Sequence, residues 1–122
     1  MRFMTIVKSR ETSAQPPQAL FDAIDKLGQE AAKKGVMVGM GGLAPTAMGA
    51  RARLAGGKIT VTDGPFTEAK EVIGGFAIYD VPTKQEAIEW TRRFLQLHID
   101  HWKGWEGEVE LRQMFDGPPQ GV

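Results

Sequence analysis

Hydrophobic residues recur along this chain with two different periods, and each period predicts a different kind of element. Residues 2–8 and 72–81 carry apolar side chains on both alternations, a pattern typical of central strands buried on two faces. After Pro16, and again after Pro82, apolar residues return every three or four positions, which predicts an amphipathic helix in each segment. Shorter strands are predicted at 36–40, 49–55, 58–62 and 108–114. The expected order is strand, helix, strand, two hairpin strands, strand, helix, strand.

Capping residues set the limits of the two predicted helices. Gly35 can adopt the left-handed conformation that ends the first helix, and Thr83 and Glu86 have the spacing of a capping box at the start of the second. The buried stripes are predicted to be Leu20, Ile24, Leu27 and Ala31 in the first helix, and Ala87, Ile88, Thr91, Phe94 and Leu95 in the second.

The pair Gly56-Gly57 predicts a two-residue hairpin turn between the strands at 49–55 and 58–62. Such a turn pairs Leu54 with Ile59 and makes one face of the hairpin apolar. Arg51 and Arg53 then lie on the opposite, solvated face.

This order predicts an α+β, ferredoxin-like fold, made of two split βαβ units with an inserted β-hairpin. Right-handed crossovers place both helices on one side of the sheet and leave the other side open. Because the two central strands are apolar on both alternations, the open side is expected to be covered by a second copy of the chain. The prediction is a homodimer that forms a dimeric α/β barrel. Residues 1–115 are expected to form a single domain, and residues 116–122 a flexible C-terminal tail.

The amino-acid composition excludes several classes of site and partner. The chain of 122 residues has no cysteine, which excludes disulfides, thiolate nucleophiles and cysteine-ligated metals. Lys plus Arg and Asp plus Glu number 15 each, so no overall charge attracts nucleic acid or an anionic membrane. No signal-peptide pattern or apolar run of membrane-spanning length is present. These features predict a soluble cytoplasmic protein that binds neither nucleic acid nor membrane.

Several motifs together resemble the YCII-related family, and specifically its DGPF-type branch. They are the run from Val61 to Glu71 around Asp63-Gly64-Pro65-Phe66, the following Gly74-Gly75-Phe76, the start Met1-Arg2-Phe3-Met4, Gly42-Leu43-Ala44-Pro45, and Glu86-Ala87-Ile88-Glu89-Trp90. The resemblance implies a ferredoxin-like fold that forms a dimeric barrel with one cleft per subunit. Some members are encoded beside extracytoplasmic-function sigma factors, which implies a regulatory link. YCII-type relatives are proposed to use a His–Asp pair with the histidine on the first helix. Residues 16–34 contain no histidine, so that pair is not carried over.

Asp63 is the first candidate for a catalytic residue, because it ends a hairpin strand where its carboxylate can point into a cleft. The alternative is an Asx-type turn, in which the carboxylate binds backbone N–H groups just downstream. Both roles are compatible, since a carboxylate held by local hydrogen bonds is also well placed to orient a ligand.

The residues around the hairpin are candidates for ligand binding. Arg51 and Arg53 can hold a carboxylate or phosphate through their guanidinium groups. Phe66, Glu68 and Lys70 follow the turn and complete the predicted ligand-binding set. A solvated, ion-paired surface is the alternative for the charged members.

His98 and His101 are the two histidines of the chain, and either is a candidate general base near neutral pH. Two nitrogen ligands do not complete a metal site, so no metal is predicted. The segment Gly39-Met40-Gly41-Gly42 lacks a dinucleotide-binding spacing, so no cofactor is predicted either. Aromatic residues near the second helix can line an apolar pocket or pack in the core: Trp90, Trp102, Trp105, Phe66, Phe76, Phe94 and Tyr79.

Two functions remain open from the sequence. The first is a protein that binds or transforms a small organic molecule, anionic ones included, in a cleft near Asp63 and Phe66. The second is a non-catalytic regulatory or interaction protein. An enclosed pocket with perturbed ionisable groups favours the first, and an exposed apolar surface favours the second.

Overall fold

The structure, a computed structural model, describes residues 1–116 and has the α+β architecture that the sequence pattern predicts. Within these residues the chain forms six β-strands and two α-helices: β1 Arg2–Ser9, α1 Gln18–Lys33, β2 Met37–Gly42, β3 Ala50–Ala55, β4 Lys58–Asp63, β5 Val72–Asp80, α2 Lys84–His101 and β6 Glu108–Gln113. A short 3-10 turn, Thr46–Met48, precedes β3. The flexible tail predicted for residues 116–122 lies outside the described residues, except for Asp116.

Four strands form one antiparallel sheet in the order β2-β5-β1-β6, so β1 and β5 are central, as their two-sided apolar pattern predicts. This order is the one expected of a ferredoxin-like fold. Both helices cover the same face, because Leu27 of α1 and Trp90 of α2 share a core with Phe3 and Tyr79. The sheet is open and does not close into a barrel within the described chain.

The opposite face of this sheet carries side chains from the other alternation. Met4 pairs with Ile78 and Ile6 with Phe76, and all four side chains are half-buried. We call these four residues the open sheet face. Glu110 binds Lys8 beside them, with a distance of 2.6 Å between Nζ and Oε1.

The predicted helix ends are confirmed. Gly35 has φ of +74°, and the Thr83 hydroxyl accepts a hydrogen bond of 3.2 Å from the Glu86 N–H. The buried face of α2 differs in part from the predicted stripe. Trp90 and His98 are buried there, whereas Leu95 is only half-buried.

The predicted hairpin register is confirmed, with Leu54 opposite Ile59 and Arg53 opposite Thr60. Both glycines of its turn have positive φ, 58° at Gly56 and 73° at Gly57, as a type I′ turn requires. The hairpin is a separate two-stranded sheet, and every residue of β3 and β4 is exposed. It therefore extends away from the core instead of packing on it.

Neither helix within residues 1–116 combines the length and the apolar character needed to cross a membrane.

Candidate functional site

A cavity of about 660 Å³ lies between the sheet and the two helices, and we call it the helix–sheet cavity. Thr5 and Ala77 line it from the sheet, Thr91 and His98 from α2, and Trp102 and Trp105 from the segment after α2. Cavities of about 300–1,000 Å³ with mainly apolar walls are typical of small-molecule sites. This volume and lining identify the cavity as the candidate site.

His98 is a buried titratable group of this cavity wall, with 6% of its surface exposed. Its Nδ1 lies 3.0 Å from the Phe94 carbonyl oxygen, which can only accept, so Nδ1 carries the proton. In the neutral ring, Nε2 is then the acceptor. Burial lowers the pKa of His98 and outweighs the opposite effect of the Phe94 carbonyl, which favours the neutral ring at neutral pH.

The His98 ring contacts two aromatic rings. Its centroid lies 4.7 Å from that of Phe94 and 4.3 Å from that of Trp105. Trp102 stacks on Trp105 at 6.4 Å with an interplanar angle of 30°. The imidazole therefore has a defined orientation as well as a defined tautomer.

Two buried threonines complete the polar part of the cavity wall. The Thr5 hydroxyl donates to the Ala77 carbonyl at 3.1 Å, and the Thr91 hydroxyl donates to the Ala87 carbonyl at 2.9 Å. Both hydroxyl protons are used within the fold, which is how these polar groups are accommodated at 5% and 6% exposure.

The turn that follows β4 is tied to the cavity through Thr46, a half-buried residue of the cavity wall. The Phe66 N–H donates to the Thr46 hydroxyl at 3.0 Å, and the Gly64 N–H donates to the Gly49 carbonyl at 2.9 Å. These two N–H groups downstream of Asp63 thus bind other acceptors, and neither forms the predicted Asx-type hydrogen bond.

Glu11, which also lines the cavity, binds Thr46 through two hydrogen bonds. The Thr46 hydroxyl donates to Glu11 Oε1 at 2.6 Å, and the Thr46 N–H donates to Oε2 at 2.7 Å. Both hydrogen bonds lower the pKa of the Glu11 carboxyl, and the one from the Thr46 hydroxyl has the larger effect. The loop after β1 and the turn around Phe66 are therefore joined by one threonine.

Three of the predicted ligand-binding residues form one cluster on the hairpin side of this turn. The Arg51 guanidinium lies 4.0 Å from the Phe66 ring centroid and pairs with the Glu68 carboxylate. Arg53 and Lys70 are exposed and lie outside this cluster. The Arg51 guanidinium is thus already bound by Glu68 and Phe66 of its own chain.

The structure separates the predicted catalytic residues. His98 lines the cavity, while His101, one turn later, is exposed, and Asp63 is exposed and does not line the cavity. Within residues 1–116, no group of three or more metal-ligating side chains comes together.

Sequence reasoning missed Thr5, Thr91 and Thr46 as residues of the site. Thr5 and Thr91 looked like ordinary strand and helix positions, and their common feature, a hydroxyl facing inward, depends on how the helices cover the sheet. The aromatic pocket prediction did include Trp102, Trp105 and Phe94, which do line the cavity.

Comparison with known proteins gives one family match. The family model that describes the YCII-related domain matches residues 1–96. No curated protein matches the chain. The matched segment includes Thr5, Thr46 and Thr91 but ends before His98 and the two tryptophans, so that end of the cavity lies beyond the family match.

Proposed function

Because the chain belongs to the YCII-related domain family, we propose that it is a DGPF-type member that binds a small organic molecule in the helix–sheet cavity. The observation that carries the proposal is the cavity of about 660 Å³, whose mainly apolar wall contains a few buried polar groups. The turn around Phe66 supports the site by holding Thr46 in the wall.

His98 is the group through which this cavity would act on a bound molecule. Its neutral ring presents Nε2 as an acceptor, so it can orient a donor group or take up a proton as a general base. The lowered pKa leaves the ring unprotonated at neutral pH but also makes it a weaker base. The same arrangement therefore serves a binding protein or an enzyme.

Filling the cavity tests this proposal. We expect Ala77→Leu to weaken the binding of cavity ligands about tenfold or more, because the longer side chain extends into the space that they occupy. Ligand-observed NMR with a mixture of small neutral, cationic and anionic organic compounds measures the effect. Ala52→Leu makes the same change on the exposed hairpin and should leave binding unchanged. Failure of every compound to bind, or equal binding to both variants, would contradict the proposal.

We further propose that two copies of the chain pack through the open sheet face. Its four apolar residues are half-buried in the single chain, and the Lys8–Glu110 pair lies at their edge. An apolar centre with a charged edge is typical of a protein–protein interface. A two-fold dimer would place one such face on another and form the dimeric barrel.

The hairpin favours a second candidate function, an interaction protein. Leu54, Ile59 and Val61 share one face of it and are 72%, 72% and 67% exposed. A second copy of the chain is the first candidate to cover this surface. A regulatory partner such as a sigma factor is the alternative.

Light scattering on charged variants separates the two surfaces. We expect the unmodified chain to be a dimer at micromolar concentration, and Ile78→Lys to make it a monomer by placing a charge in the open sheet face. If Ile59→Lys dissociates the dimer and Ile78→Lys does not, the hairpin holds the two copies together. Thr60→Lys, on the opposite hairpin face, is the control. A monomeric unmodified chain would contradict the dimer on either surface.

A further inference from the structure

Three buried polar side chains of the helix–sheet cavity, Thr5, Thr91 and His98, share one property. Each donates a hydrogen bond to a backbone carbonyl: Thr5 to Ala77, Thr91 to Ala87, and His98 Nδ1 to Phe94. What each can still offer to a bound molecule is a lone pair. These three positions therefore accept hydrogen bonds, and Tyr79, a further buried residue of the lining, adds a neutral hydroxyl whose pKa is raised by burial.

The cavity wall formed by the described residues also lacks a buried cation. The charged side chains of its lining are Arg10, Glu11 and Asp25, all exposed, and two of the three are acidic. A carboxylate or phosphate inside would face acceptors and lose its hydration without gaining a positive partner. Of the two arginines expected to hold an anion, Arg51 is paired with Glu68 and Arg53 is exposed, and both lie outside the cavity lining.

The aromatic residues restrict the shape of a ligand. Phe94 and Trp105 contact the His98 ring at interplanar angles of 57° and 39°, and Trp102 stacks on Trp105. A planar ring can pack against these aromatic rings. Trp102 and Trp105 are half-buried, and their indole N–H groups are neutral donors that suit a neutral acceptor such as a carbonyl group.

We propose that the helix–sheet cavity selects planar aromatic molecules that carry an N–H or O–H group and no negative charge, with that group donating to Nε2 of His98. The inference rests on the proposed function, and it replaces the anionic ligand considered from the sequence by a neutral donor. His98 is then the residue that determines specificity.

Three bicyclic probes of similar size test this selection. Indole has the ring and an N–H donor, benzofuran has the ring without the donor, and indole-3-carboxylate has both and a negative charge. Calorimetry on the unmodified protein should show indole binding about fivefold more tightly than benzofuran, the worth of one neutral hydrogen bond. Indole-3-carboxylate should bind most weakly. Backbone-amide NMR shifts locate each probe in the protein.

Two matched variants assign the effect to the buried histidine. His98→Phe keeps a ring between Phe94 and Trp105 but removes the acceptor, so indole and benzofuran should then bind equally. His101→Phe makes the same change at an exposed position of the same helix and should preserve the difference. If His98→Phe does not fold, the probe comparison on the unmodified protein decides.

The outcomes distinguish this inference from the proposed function. Equal binding of indole and benzofuran to the unmodified protein, or tighter binding of indole-3-carboxylate, would overturn the selection while leaving the cavity as a binding site. If none of the probes shifts amide signals of cavity residues at millimolar concentration, both the selection and the proposed function are contradicted.

Discussion

Replacing Gly64 by alanine should lower the free energy of unfolding by about 3 kcal/mol, the largest loss that we expect from a single added methyl group in this chain. A Cβ atom at Gly64 would clash with the Thr46 carbonyl, approaching its carbon atom to 2.6 Å. The neighbouring Ala47 nitrogen would be only 3.3 Å away. Because these are backbone atoms, no side-chain rotation can relieve the contact. Gly64 does not have positive φ, so the cost comes from close approach alone.

The effect should reach the helix–sheet cavity, because Thr46 connects the turn to the cavity wall. Urea unfolding measures the stability, and indole calorimetry measures the loss of binding. Gly74→Ala is the matched control, since nothing lies within 4 Å of a Cβ atom there. Equal stability of the two variants would show that the turn can move away from Thr46 at little cost. The Gly64 turn would then not be what holds Thr46 in the cavity wall.

Gly107→Ala is expected to damage the aromatic end of the cavity. A Cβ atom at this position would lie 2.5 Å from Cζ2 of the Trp105 ring and 2.8 Å from the Lys8 carbonyl oxygen. Trp105 has to shift, and it packs directly on His98. We expect a loss of about 2 kcal/mol in the free energy of unfolding and about tenfold weaker indole binding.

The aromatic NMR signals of Trp105 and His98 report the shift, and urea unfolding reports the stability. Gly39→Ala, where nothing lies within 4 Å of an added Cβ atom, controls for the loss of a glycine without a steric clash. Unchanged indole binding by Gly107→Ala would mean that the Trp105 position does not matter for the cavity. The stacking part of the specificity proposal would then fail, whereas the acceptor role of His98 would stand.

Local sequence signals predicted most of the fold, because each depends on residues that are close together in the chain. The Gly56-Gly57 turn determined the register of the hairpin, and Gly35 and Thr83 set helix ends through their own backbone and hydroxyl. The two-sided apolar pattern of β1 and β5 predicted their central places in the sheet. The stripe predicted for α2 did not include Trp90 or His98, although Trp90 was among the aromatic residues expected to line a pocket or pack in the core, and both residues are buried.

The candidate site depended on contacts between residues far apart in the chain. The sequence offered Asp63 and two histidines as catalytic candidates and two arginines as ligand-binding candidates, and it determined by itself which residues were near the Gly64 turn. The tertiary structure decided that His98 faces the cavity and His101 faces solvent, because the sheet covers only one side of α2. It also decided that Thr46 joins Glu11 to Phe66. Side-chain chemistry and local turns are encoded residue by residue, whereas the enclosure of a cavity and the direction of its hydrogen bonds exist only after distant strands and helices pack.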